Sequence, residues 1–145
     1  MKKNIYVFVL LIASLSFSIN AFSGHHSEGK DSYKEDQQAV LDAFGWDFKK
    51  AEITIEKINE NNHVLFGLGG NILVNSGKDG VLIVDDQFPQ LKNKIMRAIR
   101  KVGGKKIDYI VNSHWHFDHA EGNLAFGKTG SKIIAHENSR YMMIN

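Results

Sequence analysis

Hydrophobic and polar positions recur along this chain with two different periods, and the change of period separates strands from helices. Ile53 and Ile55 alternate with polar residues, as do Val64, Phe66 and Leu68, and Ile72 and Val74 follow a Gly69-Gly70 turn. A period of two predicts strands that are buried on one face. The run Gly80–Val84 (GVLIV) is apolar throughout and predicts a strand covered on both faces. It ends in Asp85-Asp86, shortly before Pro89. Leu91, Ile95, Ile99 and Val102 then recur at helical spacing with Lys and Arg between them, and Gly103-Gly104 stops that helix. Ile107–Val111 (IDYIV) reads as a second buried strand, Lys132–Ala135 (KIIA) as a further one, and Glu137–Ile144 as the start of another helix. Antiparallel-type strands followed by alternating strand and helix predict an α/β fold, with a mixed β-sheet and outer helices.

The N-terminal segment belongs to a different pattern. Lys2 and Lys3 precede an apolar run from Ile5 to Ile19, closed by Ala21-Phe22-Ser23. That is the layout of a secretory signal peptide over residues 1–23, with cleavage after Ser23. It implies a periplasmic or secreted protein without stable membrane insertion. Residues 24–50 read as a polar leader followed by a short helix or ordered loop from Ala39 to Phe48, interrupted at Gly45. Residues 51–145 are left as the domain. The formal charge of +2 is matched by Lys2 and Lys3 alone, so cleavage leaves a balanced chain and removes the only support for a nucleic-acid partner. A small-molecule substrate is the expected partner. With 0 Cys, disulfides, thiolate zinc sites and cysteine nucleophiles are excluded, so any metal must be held by His and carboxylate.

Such residues cluster just past the second buried strand, in Asn112-Ser113-His114-Trp115-His116-Phe117-Asp118-His119. In an extended segment His114, His116 and Asp118 share one side, while Trp115 and Phe117 face the packing on the other. If the chain turns into a helix at Asp118, His119 rotates back to the same pocket. Four ligand-type groups then converge at the C-terminal end of a strand, a usual place for a site in an open α/β sheet. Imidazole and carboxylate donors suit Zn²⁺ first, then Fe or Mn. Asp118 as a mere helix cap is the bland alternative. His63 is expected at the surface or satisfied, His136 in helix-start packing or a pocket role, and Met142 and Met143 in the core. Trp46 and Phe48 are expected to pack in the core in preference to lining a pocket entrance. His25 and His26 read as part of a solvated tail, with a copper or nickel site as the alternative if cleavage exposes Gly24.

At these residues the chain resembles the metallo-β-lactamase superfamily. The Gly69-Gly70-Asn71 turn, the Gly80-to-Asp85 strand, the His114-to-His119 cluster, Gly122-Asn123 and Ile133–Asn138 follow in the family's order. The resemblance implies an αββα sandwich, of which this chain carries the N-terminal half. It also implies two zinc ions, His114 and His116 serving the first and Asp118 and His119 the second. Asp118 would be catalytic, orienting a metal-activated water that attacks a lactam, thioester, lactone or ester. Asp85 would make hydrogen bonds behind the ligands. His119 resembles the glyoxalase II branch and the dinuclear lactamases, and His116 argues against the flavodiiron branch, where a Glu stands. The family draws its remaining ligands from a C-terminal half, whereas after His119 this sequence has only His136. A fragment, or a truncated non-catalytic metal-binding product, is therefore expected, with an uncovered apolar sheet face. Within enzymes, a mononuclear iron dioxygenase is the alternative to the zinc hydrolase.

Overall fold

A computed structural model describes residues 38–144; the signal segment, most of the leader with His25 and His26, and Asn145 lie outside the described residues. Six strands, β1 (Thr54–Lys57), β2 (Asn62–Phe66), β3 (Ile72–Gly77), β4 (Gly80–Val84), β5 (Tyr109–Asn112) and β6 (Lys132–Ala135), form one sheet in chain order. The first four run antiparallel, and β4, β5 and β6 run parallel. Helices α1 (Lys92–Lys101), α2 (Phe117–Ala120), α3 (Asn123–Phe126) and α4 (Glu137–Ile144) follow β4 or later strands, and a helical stretch over 38–44 precedes the sheet. The α/β class with a mixed sheet and outer helices is as expected.

Local chemistry accounts for the connections. Asn59 Oδ1 accepts from the Asn61 and Asn62 amides and closes the β1–β2 turn. Lys78-Asp79 links β3 to β4, with Gly80 at φ +125° completing the hairpin. The step to a parallel partner needs a crossover. Pro89 starts a 3-10 turn that leads into α1, and the Gly104 amide donates to Ile99 O at 2.9 Å where Gly103 (φ +89°) ends it.

One sheet face and α1 share the core: Leu65, Ile72, Val74, Ile83 and Ile110 cluster with Leu91, Ile95 and Ile99, and each is fully buried. Trp46 and Phe48 join this cluster, as expected, with their rings 5.6 and 5.0 Å from that of Phe88. The other face carries the cross-strand row Val64, Leu73, Val84, Val111, Ile134. It is only partly buried, and Ile134 is 49% exposed.

Four expectations are corrected. In β2 it is His63 and Leu65 that point into the core, while Val64 is half-buried and Phe66 exposed. The segment is apolar on both faces, and pairing with Ile72 and Val74 decides the register. Buried and half-buried residues alternate in β4, so among the described residues it is covered on one face only. The strand expected at 107–111 starts at Tyr109, where pairing with Leu82 begins, although Ile107 is still buried. Met142 is exposed and Met143 half-buried, because α4 buries only Ser139.

Candidate metal centre

The candidate ligands sit where parallel strands β4 and β5 end side by side. The Asp85 amide donates to Val111 O and the Asp86 amide to His119 O, both at 2.9 Å, so the turn after β4 is stitched to β5 and to α2. His114 follows β5 after a single residue, Ser113. His116 is the N-cap residue of α2, and Asp118 and His119 lie in that helix. The helix starts at Phe117, one residue earlier than expected, and period-two alternation ends with it. Trp115 and Phe117 are consequently not packed away: they are 43% and 40% exposed, the first meeting His116 edge-on and the second tilted against Phe88.

Three of the four expected ligands make a continuous line of rings, and the fourth joins its end. His116 and His114 have ring centroids 4.6 Å apart, His114 and His119 4.1 Å apart, and His119 Nε2 lies 3.5 Å from Asp118 Oδ2. His114 and His119 are the closest ring pair, so the line is continuous and does not by itself divide into two sites. His116 is exposed, and the other three are half-buried.

Asp85 stands behind this line, nearly buried, with atoms of Asp85, His114 and His119 mutually within 4.8 Å. Its oxygens are already engaged. Oδ1 accepts the Ser113 amide at 2.7 Å, and Oδ2 accepts both the Ser113 hydroxyl at 2.7 Å and His119 Nδ1 at 2.8 Å. Ser113 Oγ, having donated its proton to Asp85, is an acceptor for His114 Nδ1 at 2.9 Å. One carboxylate thus orients His119 directly and His114 through Ser113. A neutral imidazole that donates from Nδ1 keeps its lone pair on Nε2. Both rings are therefore set up as Nε2 ligands, in the way carboxylates fix metal-binding histidines. Burial first, then the neighbouring His119 and His116, hold the His114 pKa below its ordinary value, which favours the neutral form that a metal needs. The donor set and its fixed tautomers fit a metal ion held by imidazole and carboxylate.

The wall opposite the ligands is the Gly67–Asn71 segment between β2 and β3. Gly69 has φ +73°, and a Cβ there would lie 2.5 Å from that of Asp118; at Gly70 a Cβ would strike the His119 ring. Only glycine lets the backbone come this close. Beneath the site, Asp86 is fully buried and neither carboxyl oxygen has a well-formed hydrogen bond. Burial, and then Asp85, push its pKa up to about 8, against a smaller pull from the Gly122 amide.

His136 lies outside the line of ligands: it is exposed, and its Nδ1 accepts the Asn138 amide at the start of α4. His63 is buried, and its Nδ1 has no partner among the described residues. Reading the sequence by motif overlooked Ser113, Asp86 and Gln87. The hint was three polar residues, Asp85-Asp86-Gln87, in unbroken succession after an apolar strand.

Known proteins share this fold. Among solved structures, a subclass B3 metallo-β-lactamase of Bradyrhizobium japonicum matches at 26% identity and TM-score 0.56, over 63% of this chain and 36% of that one. A B3 enzyme described as the first with an active-site glutamic acid matches at 25% identity and TM-score 0.60, over 71% and 39%. The coenzyme F420H(2) oxidase of Methanothermobacter marburgensis is 29% identical over 66 residues, 43% of this chain and 16% of the oxidase. The chain spans well under half the length of these proteins. The family model of the metallo-beta-lactamase superfamily matches residues 65–145, more than half of the chain, and with the sheet and ligand line in place the chain belongs to that superfamily.

Proposed function

We propose that this protein is an exported metal-dependent hydrolase, zinc-loaded, acting on a small molecule with a carbonyl centre: a lactam, thioester, lactone or ester. The observation that carries the proposal is the shared carboxylate. Asp85 ties back the Nδ1 of His119 directly and that of His114 through Ser113, and so leaves the Nε2 lone pair of both rings free for a metal. A structural ion-pair network has no need to set two tautomers alike. His114 and His116 would hold one ion, Asp118 and His119 a second. When bound, such ions acidify water and polarise a carbonyl oxygen. Asp118, with its carboxylate against His119 Nε2, is placed to accept a proton from a nucleophilic water and to orient it. The glycine wall at 69–70 leaves the ligands no side chain on that side to displace. Export rests on the charged and apolar pattern of residues 1–23.

Two measurements test this. Metal analysis of protein purified from its own host should find zinc; iron in its place would favour the dioxygenase alternative. A panel of nitrocefin, a thioester and a lactone should show turnover of at least one member by the zinc-loaded protein, lost in Asp118→Ala. Zinc binding with no turnover of any class would leave a metal-binding protein and sink the hydrolase reading.

A further inference from the structure

Gln87 carries two local costs at once. It is a non-glycine residue at φ +53°, and its buried Oε1 has no hydrogen-bond partner. Such a residue persists only where its surroundings over-determine it, and costs of this kind gather at functional sites. Its surroundings are specific. The Gly122 amide donates to Gln87 O at 2.8 Å, and residue 87 forms a parallel bridge with Ala120, so its backbone is fastened to the end of α2. Its side chain reaches the other way, where Nε2 donates to Gly70 O. Oε1 sits where residue 67 would carry a Cβ, 2.5 Å from that position, which is why Gly67 accommodates it. The Gly70 amide in turn donates to Asp118 O at 3.3 Å.

We infer that Gln87 is a positioning residue: it clamps the Gly67–Asn71 wall against Asp118 and His119 and thereby sets the affinity of that half of the metal centre. It touches neither ligand side chain. The hydrogen bonds of residue 87 run to Gly70 and Gly122, and none of them involves His114 or His116. The metal part of this inference rests on the two-ion reading above; the clamp itself does not.

The test uses the full chain and two readouts. Gln87→Met keeps the volume and removes the amide; Ile95→Val, a change in the core under α1, is the control at matched global stability. In metal-free protein, amide hydrogen exchange at Gly69–Asn71 and at His119–Ala120 should be faster in Gln87→Met than in the control. In Co²⁺ titrations followed by absorption, the second equivalent should weaken by about 10–100-fold, the effect expected of an outer hydrogen-bond partner, while the first is unchanged. Exchange equal to the control, or equal weakening of both equivalents, overturns the inference. If the unsubstituted protein takes only one equivalent, the two-ion reading fails, and the exchange comparison alone decides the clamp. Should the methionine variant not fold, Gly67→Ala tests the same clamp from the other side, because its Cβ would lie 2.5 Å from Gln87 Oε1 and displace the amide.

Discussion

Replacing Asp85 by Asn isolates what the shared carboxylate does. Asp85 sits at φ +64°, a conformation that Asn adopts at least as readily as Asp, so the backbone is undisturbed. The side-chain shape is kept as well. What changes is that one of two acceptor oxygens becomes an NH₂ group. It cannot face the Ser113 amide, because two donors would meet where the oxygen now lies 2.7 Å from that nitrogen. It must therefore face His119 Nδ1 and Ser113 Oγ, which now lie 2.8 and 2.7 Å from Oδ2. His119 then has to accept at Nδ1, and its proton moves to Nε2, the nitrogen 3.5 Å from Asp118. A ring protonated there cannot bind a metal. His114 keeps its contact with Ser113 Oγ, so its half of the site should lose less. The loss at the Asp118/His119 position should be about 10–100-fold in affinity, or about 1.4–2.7 kcal/mol. Chelator competition with zinc measures the affinity, and long-range ¹⁵N–¹H correlation on the imidazoles reads the tautomer. If Asp85→Asn leaves the His119 proton on Nδ1 and both affinities unchanged, the relay through Asp85 does not organise the site.

Three further outcomes follow from named contacts. Asp86, raised from 3.8 to about 8 chiefly by burial and next by Asp85, binds its proton more tightly folded than unfolded. Its contribution to stability must then fall as pH rises between about 4 and 8, by up to about 1.4 kcal/mol per unit. Asp86→Asn should flatten that slope in urea unfolding at pH 5 and 8, and parallel curves for the two proteins would refute the assignment. Gly70→Ala puts a Cβ into the His119 ring, so it should weaken the second metal equivalent while leaving far-UV circular dichroism unchanged; unaltered metal binding would show that the wall can give way. Ile134, 49% exposed on the partly buried sheet face, should drive self-association. Ile134→Lys should lower the sedimentation coefficient at high concentration with little change in Tm, whereas an unchanged coefficient would acquit this face.

Much of the fold was legible because one sheet face is buried and the other is not. Ile72 and Val74 are inward and Ile53 and Ile55 pack on the core, as their alternation implied. In β2 the same rule misled, since Val64, Leu65 and Phe66 are apolar in succession and period two fits either face. Only cross-strand pairing resolves such a segment. Spacing brought His114 and His116 together, and the short helix expected to bring His119 round is present, but it starts early enough that the helix and not strand alternation sets Asp118. The same helix exposes Phe117, a consequence that strand alternation could not supply. The contacts of Ser113 and Gln87 were beyond reach for another reason. Their partners, Asp85 and Gly70, stand 28 and 17 residues away in the chain, and no local period encodes a contact of that kind.

The turn Asp85-Asp86-Gln87 is where local preference and structure disagree most. Two of its three residues adopt positive φ without being glycine, and the middle one buries a carboxyl with no well-formed hydrogen bond. Each such feature costs on the order of 1–3 kcal/mol. Elsewhere the chain obeys its propensities: asparagine closes β1–β2, and glycines end the β3–β4 hairpin and α1. If the turn only connected β4 to α1, glycine at 85 and an apolar filler or glycine at 87 would relieve the backbone or the unpaired amide without removing any apolar side chain from the core. What glycine would remove is the carboxylate that sets two histidine tautomers and the amide that holds the Gly67–Asn71 wall. Among the described residues, positive φ without glycine is thus confined to the segment whose side chains organise the ligands, which is where a fold retained for its chemistry would tolerate it.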